Sequence, residues 1–592
     1  MTDAAPRRRL EPWLLGLVLL LAAALRLPGL HDHGFGTMYY AAGVRSMLQG
    51  AGLFFYNAFD PAGFVSLDKP PVAFWIQALF AKVLGFGGLA LHLPQALAGV
   101  GSVALLYRLS RPLGAPAALV GALLLAVMPI VVAVDRSNNT DPWLIFFLLL
   151  AGNVALRGRG LSLVAAMALL GVAFNVKMLA ALVAAPAILA AWLLSAAPGW
   201  QRRFGWMGAA FGALVVVSLS WAAAFDLTPP DRRPYAGSSA ANSMLELAVM
   251  HNGLDRFVRP RAAAAGAPPA APTRFPLYDA VPVGPLRLAQ PSLTMQVAWT
   301  LPLAVLGAVL AWRRRRAIVA LWSLWALAYG IVYSAAGGIF HAYYLATLGP
   351  PLAALAGIGA FELWRRGPSA LALGLALAAA WQAYVAGATL GWDSAWLGFP
   401  AVAALAAAGA WLRGRRQTAA IGGVALLGLP TLWTLAAIFS PGNLTLPSAS
   451  LPRWLGRDDG RGPILSREWP ALSDDPLLLS FLQEHRGDAR FLVVTHNALL
   501  AAPVIVRTGQ PAMAFGGYYG SDPILGIDGL ARAVARGEVR YALLSTYRRP
   551  GDFERWVRGH GKPVDPASWR SLPFDTRRSI ELYDLSAATP RP

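Results

Sequence analysis

Long apolar runs separated by short polar breaks fill the chain as far as about residue 440, and the remainder loses that rhythm. A run of about 17 to 25 apolar residues is long enough to cross a bilayer as a helix. Thirteen such runs can be marked, some of them short: 12–30, 90–110, 115–134, 142–156, 161–176, 178–197, 206–226, 297–312, 317–335, 343–361, 368–388, 397–413 and 418–440. One further stretch, 71–84, is ambiguous by hydropathy, and charge decides it. Let Arg7, Arg8 and Arg9 keep the N-terminus cytoplasmic, and let 71–84 not cross. Then Arg108 and Arg111, Arg157 and Arg159, Arg202 and Arg203, Arg313 to Arg316, Arg365 and Arg366, and Arg413, Arg415 and Arg416 all fall on the cytoplasmic side. A crossing by 71–84 would put every one of those clusters outside. The stretch is therefore expected to be a re-entrant or interfacial helix. No small-residue cleavage site follows Arg7–Arg9, so the first helix is expected to stay uncleaved.

The same count places 31–89, 135–141, the break near Lys177, 227–296, 336–342, 389–396 and everything after about 441 on the outer side. Within the first of these loops, apolar residues recur at helical spacing from Met38 to Leu48, which predicts a helix lying in the membrane interface. Residues 450–592 are richer in Asp, Arg, Glu and Pro. There Phe491–Val506 and Val539–Arg549 read as strands, and Asp475–Gly487 and Gly529–Gly537 as helices. The expected fold class is an α-helical polytopic membrane domain over 1–440, followed by a small extracytoplasmic α/β domain over 441–592.

Composition agrees. Hydrophobic residues make up 56% of the chain and charged residues 14%, with a mean hydropathy of +0.50; soluble domains carry about one quarter charged residues. The chain has no cysteine, which excludes disulfides, thiolate metal sites and cysteine nucleophiles. A net charge of +20 could suggest nucleic acid. The basic residues instead form short clusters between apolar runs, which is the pattern of topology signals and lipid headgroup contacts.

Candidate chemistry concentrates on the outer side. Ala58–Trp75 carries Asp60, Asp68 and Lys69 among aromatics, closed by Pro70 and Pro71. Charges near bilayer depth are usually paired or functional, though a solvated loop at the surface is the plain alternative. Asp135 to Pro142 packs two Asp, an Arg and two Asn into eight residues. Asp141 before Pro142 also suits a helix start. Lys177 reads as a snorkelling end residue, Asn242–Gly253 as an amphipathic segment, and 262–272 as an Ala/Pro-rich linker. His341, Tyr343 and Tyr344 sit at the outer end of a span, where a structural His and a phosphate or sugar contact are equally open. Phe515–Gly526, with glycines around two tyrosines and Asp522, suits a ligand loop or an ordinary tight turn.

Taken together, YYAAGVRSML, FFYNAFDPAGFVSLDKPPVAFWIQAL, RSNNTDPWL and HAYYLATLGPPLAALAG, in that order, resemble glycosyltransferase family 39. The bacterial YkcB-like mannosyltransferases within it are the nearest in pattern. HNGLDRF and GGYYGSDP followed by GEVRYALL extend the likeness over most of the chain. The wider family includes the aminoarabinose transferases and the protein O-mannosyltransferases.

The resemblance implies a GT-C fold and an inverting transfer of sugar from a polyprenyl-phosphate donor to an envelope acceptor. The transfer would take place on the outer face of a bacterial plasma membrane. Its partners would be the lipid-linked donor, the acceptor and the bilayer. It requires no cofactor, although several GT-C enzymes bind a divalent cation and paired Asp residues could hold one. Such a donor needs no acid for its phosphate leaving group, only a base for the acceptor and cations or donors for the phosphate.

Many relatives carry an Asp-Glu pair where Gly36 and Thr37 stand here. The base is then expected from Asp60, with Asp68 assisting and Asp32 a weaker candidate. Lys69, Arg136, His341 and Tyr344 are the expected phosphate contacts. Tyr40, Asn139, Asp141, Asn252 and Tyr343 are the expected sugar or acceptor contacts, and Tyr518 and Asp522 a ligand loop in the C-terminal domain. Two other readings stand beside this one. A lipid-linked-sugar flippase would show internal repeats, and none is visible. A catalytically idle envelope-polymer binder remains open because of Gly36 and Thr37.

Overall fold

The computed structural model of the chain describes residues 4–196, 199–257, 281–338, 340–439, 444–449, 473–545, 551–571 and 580–586. The linker expected at 262–272 lies outside them, as does the composition boundary at 441. Each of the thirteen apolar runs contains helix. Among the described residues, ten helices are long and apolar enough to cross a membrane, and a pair bent by 61°, Ala115–Ala126 with Pro129–Asp135, makes an eleventh. The helices Asp141–Ala155 and Leu179–Ser195 are shorter. The ambiguous stretch forms one 13-residue helix, Val72–Leu84, and the amphipathic one forms Met38–Met47. The protein is thus a multi-pass membrane protein.

The chain divides into two compact units that interleave in sequence. The first comprises residues 1–32, 92–218 and 253–463 and is helical. Proline in the first helical turn starts many of its helices, where the missing N–H costs nothing. The bend before Pro129 has the same origin: Met128, the residue before the proline, is extended (φ −75°, ψ 115°). Close helix packing rests on small residues, as membrane helices require without a hydrophobic force between them. A Cβ on Gly307 would lie 1.9 Å from the Leu355 carbonyl oxygen, and one on Gly359 2.1 Å from that of Leu303. Helices Leu301–Ala311 and Gly349–Arg366 therefore meet backbone to backbone.

The second unit comprises residues 33–91, 219–252 and 464–592. Its sheet runs in the order β2–β1–β3–β5–β4, with β1 Val494–Thr495, β2 Met513–Ala514, β3 Tyr541–Ser545, β4 Lys562–Pro563 and β5 Ile580–Asp584. β1 is parallel to both β2 and β3, whereas β5 is antiparallel to β3 and β4. Phe491–Val506, read from its Val and Ile content as a strand, is strand only at β1. From Ala498 to Thr508 it is helix. Asn497 caps that helix by accepting the Leu500 N–H at 3.2 Å, and Gly509 ends it in the left-handed conformation. Local capping outweighs β-propensity here. One apolar core joins Tyr39, Phe59 and Phe74 near the start of the chain to Leu482, Ile505 and Trp569 near its end. Gln49 fastens the same junction by donating to the Gly509 carbonyl at 2.8 Å.

Candidate functional site

Asp60 and Asp68 lie in one loop of the second unit but serve different ends. Asp60 is fully buried, and its carboxylate accepts the backbone N–H groups of Ala62 (2.9 Å), Phe64 (3.0 Å) and Val65 (3.2 Å). Burial pushes it up to about 6, against the pull of those N–H groups and of the Arg490 guanidinium. The side chain organises its own turn.

Asp68 is held from several sides. Its backbone N–H donates to the Tyr39 hydroxyl (3.0 Å), and its carbonyl accepts from Asn252 Nδ2 (3.1 Å). Lys69 Nζ lies 2.6 Å from Oδ2, and His251 Nε2 lies 3.8 Å from the same oxygen. No described residue donates to the buried Oδ1. Burial raises the affinity of this carboxylate for its proton, but the Lys69 ammonium and His251 outweigh that and hold it well below the usual carboxylate range. Asp68 is therefore ionised at any working pH. Asn57 supports Lys69 by donating to its carbonyl at 2.8 Å, from a left-handed conformation (φ 56°) that asparagine tolerates. Tyr40 packs against Phe74 at 5.0 Å. Tyr518 packs against Tyr39 at 4.5 Å, and Asp522 accepts the Ser238 N–H at 2.7 Å.

A second cluster lies in the helical unit. Asp141 opens the helix Asp141–Ala155, and Lys177 closes Gly160–Lys177. Lys177 Nζ donates to Asp141 Oδ2 at 2.6 Å and stands 4.9 Å and 4.7 Å from the ring centres of Tyr343 and Tyr344. Asp141 makes no capping bond; like Asp68, it keeps a buried Oδ1 that meets no donor among the described residues. His341 stacks on Tyr343 at 5.4 Å, and Arg256 donates to the Tyr344 hydroxyl at 2.8 Å. Met178, next to Lys177, has φ 46° and ψ −131°, a strained conformation for a residue with a side chain.

The remaining expected residues of this unit have structural partners. Arg136 donates through Nη1 to the carbonyls of Arg26 (3.0 Å) and Pro28 (2.8 Å), closing the end of the first helix. Asn139 accepts the Thr140 N–H at 2.7 Å, and its carbonyl takes Gln95 Nε2 at 3.2 Å. Asp135 pairs with the buried Arg26 at 2.7 Å. The 135–141 island is thus a wired, buried connection and not a solvated turn.

His251, Arg256 and Lys177 were not among the expected site residues. His251 and Arg256 lie in HNGLDRF, a stretch already conspicuous for its resemblance. Lys177 gave only the signal of a lone cation between apolar runs. Among the described residues, no group of three or more His, Asp or Glu side chains is arranged to hold a metal ion.

Residues 68–221 match the family described as "Dolichyl-phosphate-mannose-protein mannosyltransferase", and residues 478–560 match "Putative mannosyltransferase YkcB-like, C-terminal". The chain is 33% identical to "Putative mannosyltransferase YycA" of Bacillus subtilis, covering 93% of each chain. It is 32% identical to "Putative mannosyltransferase YkcB" of the same organism, over 95% of this chain and 93% of that one. The chain belongs to the YkcB-like mannosyltransferase family. In fold it resembles ArnT from Cupriavidus metallidurans in the apo state, with a TM-score of 0.58 at 16% identity, covering 99% of this chain and 100% of that one. The same ArnT bound to undecaprenyl phosphate gives 0.57 at 17% identity, covering 100% of each. This YkcB-like protein is accordingly a GT-C membrane glycosyltransferase, and the loop holding Asp68 begins its family-matched segment.

Proposed function

We propose that the protein moves a sugar from a polyprenyl-phosphate carrier to an acceptor on the outer face of a bacterial plasma membrane. The observation that carries this reading is the Asp68–Lys69 pair, buried and ionised with one carboxylate oxygen uncommitted. Asp68 takes the role first expected of Asp60, whose oxygens are committed to three backbone N–H groups. The acceptor oxygen forms its bond to the anomeric carbon on the face opposite the phosphate. The carbon–oxygen bond to phosphate breaks, its electron pair leaves with the polyprenyl phosphate, and the acceptor's proton passes to Asp68 Oδ1. Lys69 offsets the charge gathering on the phosphate.

A carboxylate held this far below neutrality is a weak base, so the proton moves late, as the new bond forms. His251 and Asn252 position Asp68. The ArnT fold with undecaprenyl phosphate bound supports a lipid carrier of this kind. The test is transfer in nanodiscs from a panel of undecaprenyl-phosphate sugars, with Asp68→Asn beside wild type. One donor consumed by wild type and spared by the variant supports the reading. Undiminished transfer by Asp68→Asn sinks the role of Asp68, and no consumption of any donor sinks the function.

A further inference from the structure

Family resemblance leaves the C-terminal α/β segment without a task, and its geometry suggests one. β1 and β2 are parallel, and open α/β sheets bind ligands beyond the carboxyl ends of such strands. Here the loop leaving the carboxyl end of β2 is Phe515–Gly526, followed by the helix Ile527–Ala535. This edge meets the Asp68 loop within the same compact unit.

Two contacts make the junction. Tyr518 packs on Tyr39, whose hydroxyl takes the Asp68 N–H. Asp522 Oδ2 accepts the N–H of Ser238, and the neighbouring Gly237 N–H donates to Ser66 Oγ at 3.1 Å, two residues before Asp68. Ser238 holds a left-handed conformation (φ 60°) where it makes this bond. Gly517 is required for the arrangement: its φ is +69°, and a Cβ there would lie 1.9 Å from Asp522 Oδ2. Tyr518 is half-buried, and Tyr519, set edge-on to it at 4.6 Å, is exposed.

We infer that the loop Phe515–Gly526 is the acceptor-side wall of the Asp68 site, with Tyr518 and Tyr519 offering ring faces to a carbohydrate acceptor and Asp522 accepting a hydrogen bond from one of its hydroxyls. The inference rests on the transfer reading above and adds the acceptor class to it. A carbohydrate fits better than a peptide because the wall combines aromatic faces with a carboxylate. Apolar sugar faces lie on aromatic rings, and the hydroxyls around each face supply the donors that an ionised carboxylate accepts. Burial pushes Asp522 up to about 6; the Ser238 N–H opposes this and the nearby charge of Asp68 adds to it, consistent with a carboxylate beside the reacting groups.

The test uses the full chain in nanodiscs, with whichever undecaprenyl-phosphate sugar wild type consumes. Mannotriose and a threonine-containing peptide serve as competing acceptors, and undecaprenyl phosphate binding serves as a check on folding. The expected result is transfer to mannotriose in preference to the peptide. Asp522→Asn should raise the mannotriose KM about 10- to 100-fold, the loss of one charge-assisted hydrogen bond, while still binding undecaprenyl phosphate. Tyr518→Ala should move the same constant in the same direction. An unchanged mannotriose KM in both variants overturns the inference, as does a fall in kcat alone or a preference for the peptide. Each of those outcomes leaves the transferase reading standing. If wild type consumes no donor, that reading fails and this inference fails with it.

Discussion

The two compact units each contain a buried Asp–Lys pair, and the contrast between them is instructive. Asp141 and Lys177 come from opposite ends of two consecutive helices. Asp141 sits at a helix N-terminus and Lys177 at a helix C-terminus, so each charge complements its own helix dipole as well as its partner. The pair has a sufficient structural explanation. Asp68 and Lys69 are adjacent in a loop, and no helix end accounts for either charge. Backbone and side-chain contacts from Tyr39, Asn57, Asn252 and His251 hold them instead. Similar chemistry thus has a helix-dipole explanation in one unit and none in the other.

Breaking Asp68 should give the largest effect. Asp68→Asn is expected to lower the transfer rate by about 10²- to 10⁴-fold, the range for a positioned acid or base. Undecaprenyl phosphate binding should persist, which separates lost chemistry from lost fold. Lys177→Met probes the other pair through stability. It leaves a buried carboxylate alone, at a cost of about 3–5 kcal/mol, read as a fall in the thermal midpoint in detergent. The double variant Asp141→Asn with Lys177→Met should recover part of that loss.

Asp60→Asn sharpens the comparison within one loop. The amide cannot accept at both former oxygens, so a cost of about 1–3 kcal/mol is expected, with transfer by the folded protein retained. Full stability combined with lost turnover would return the base role to Asp60. The two carboxylates also carry opposite pH signs. Asp60, raised from 3.8 to about 6, contributes stability that is complete below about 4 and lost as pH rises through about 6. Asp68, lowered, contributes stability present above 3.8 and lost on further acidification. Unfolding followed from pH 4 to 7 should lose its Asp60 slope in the Asn variant. Tyr344→Phe should be mildest. It removes one hydrogen bond from Arg256, worth about 0.5–1.5 kcal/mol, and is measured as a small fall in the thermal midpoint in detergent.

The apolar runs and the helix within 71–84 were legible because bilayer thickness and helical periodicity act on neighbouring residues. Asp68 and Lys69 were visible as a charged step among prolines and aromatics. Their difference from Asp60 was not, because the N–H groups that occupy Asp60 are set by a turn whose shape depends on tertiary packing. The end of Phe491–Val506 was misread for a related reason: Val and Ile content is ambiguous until the Asn497 cap and the Gly509 stop are weighed.

By itself, then, the sequence determined the membrane class, the helical runs and the family, since each is written in local hydropathy or in contiguous motifs. Only the tertiary structure decided that Asp141 pairs with Lys177, that Asp60 closes a turn, and that Asp522 lies against the loop of Asp68. Ion pairs and hydrogen bonds form between groups close in space, and those last two aspartates stand more than four hundred residues apart along the chain.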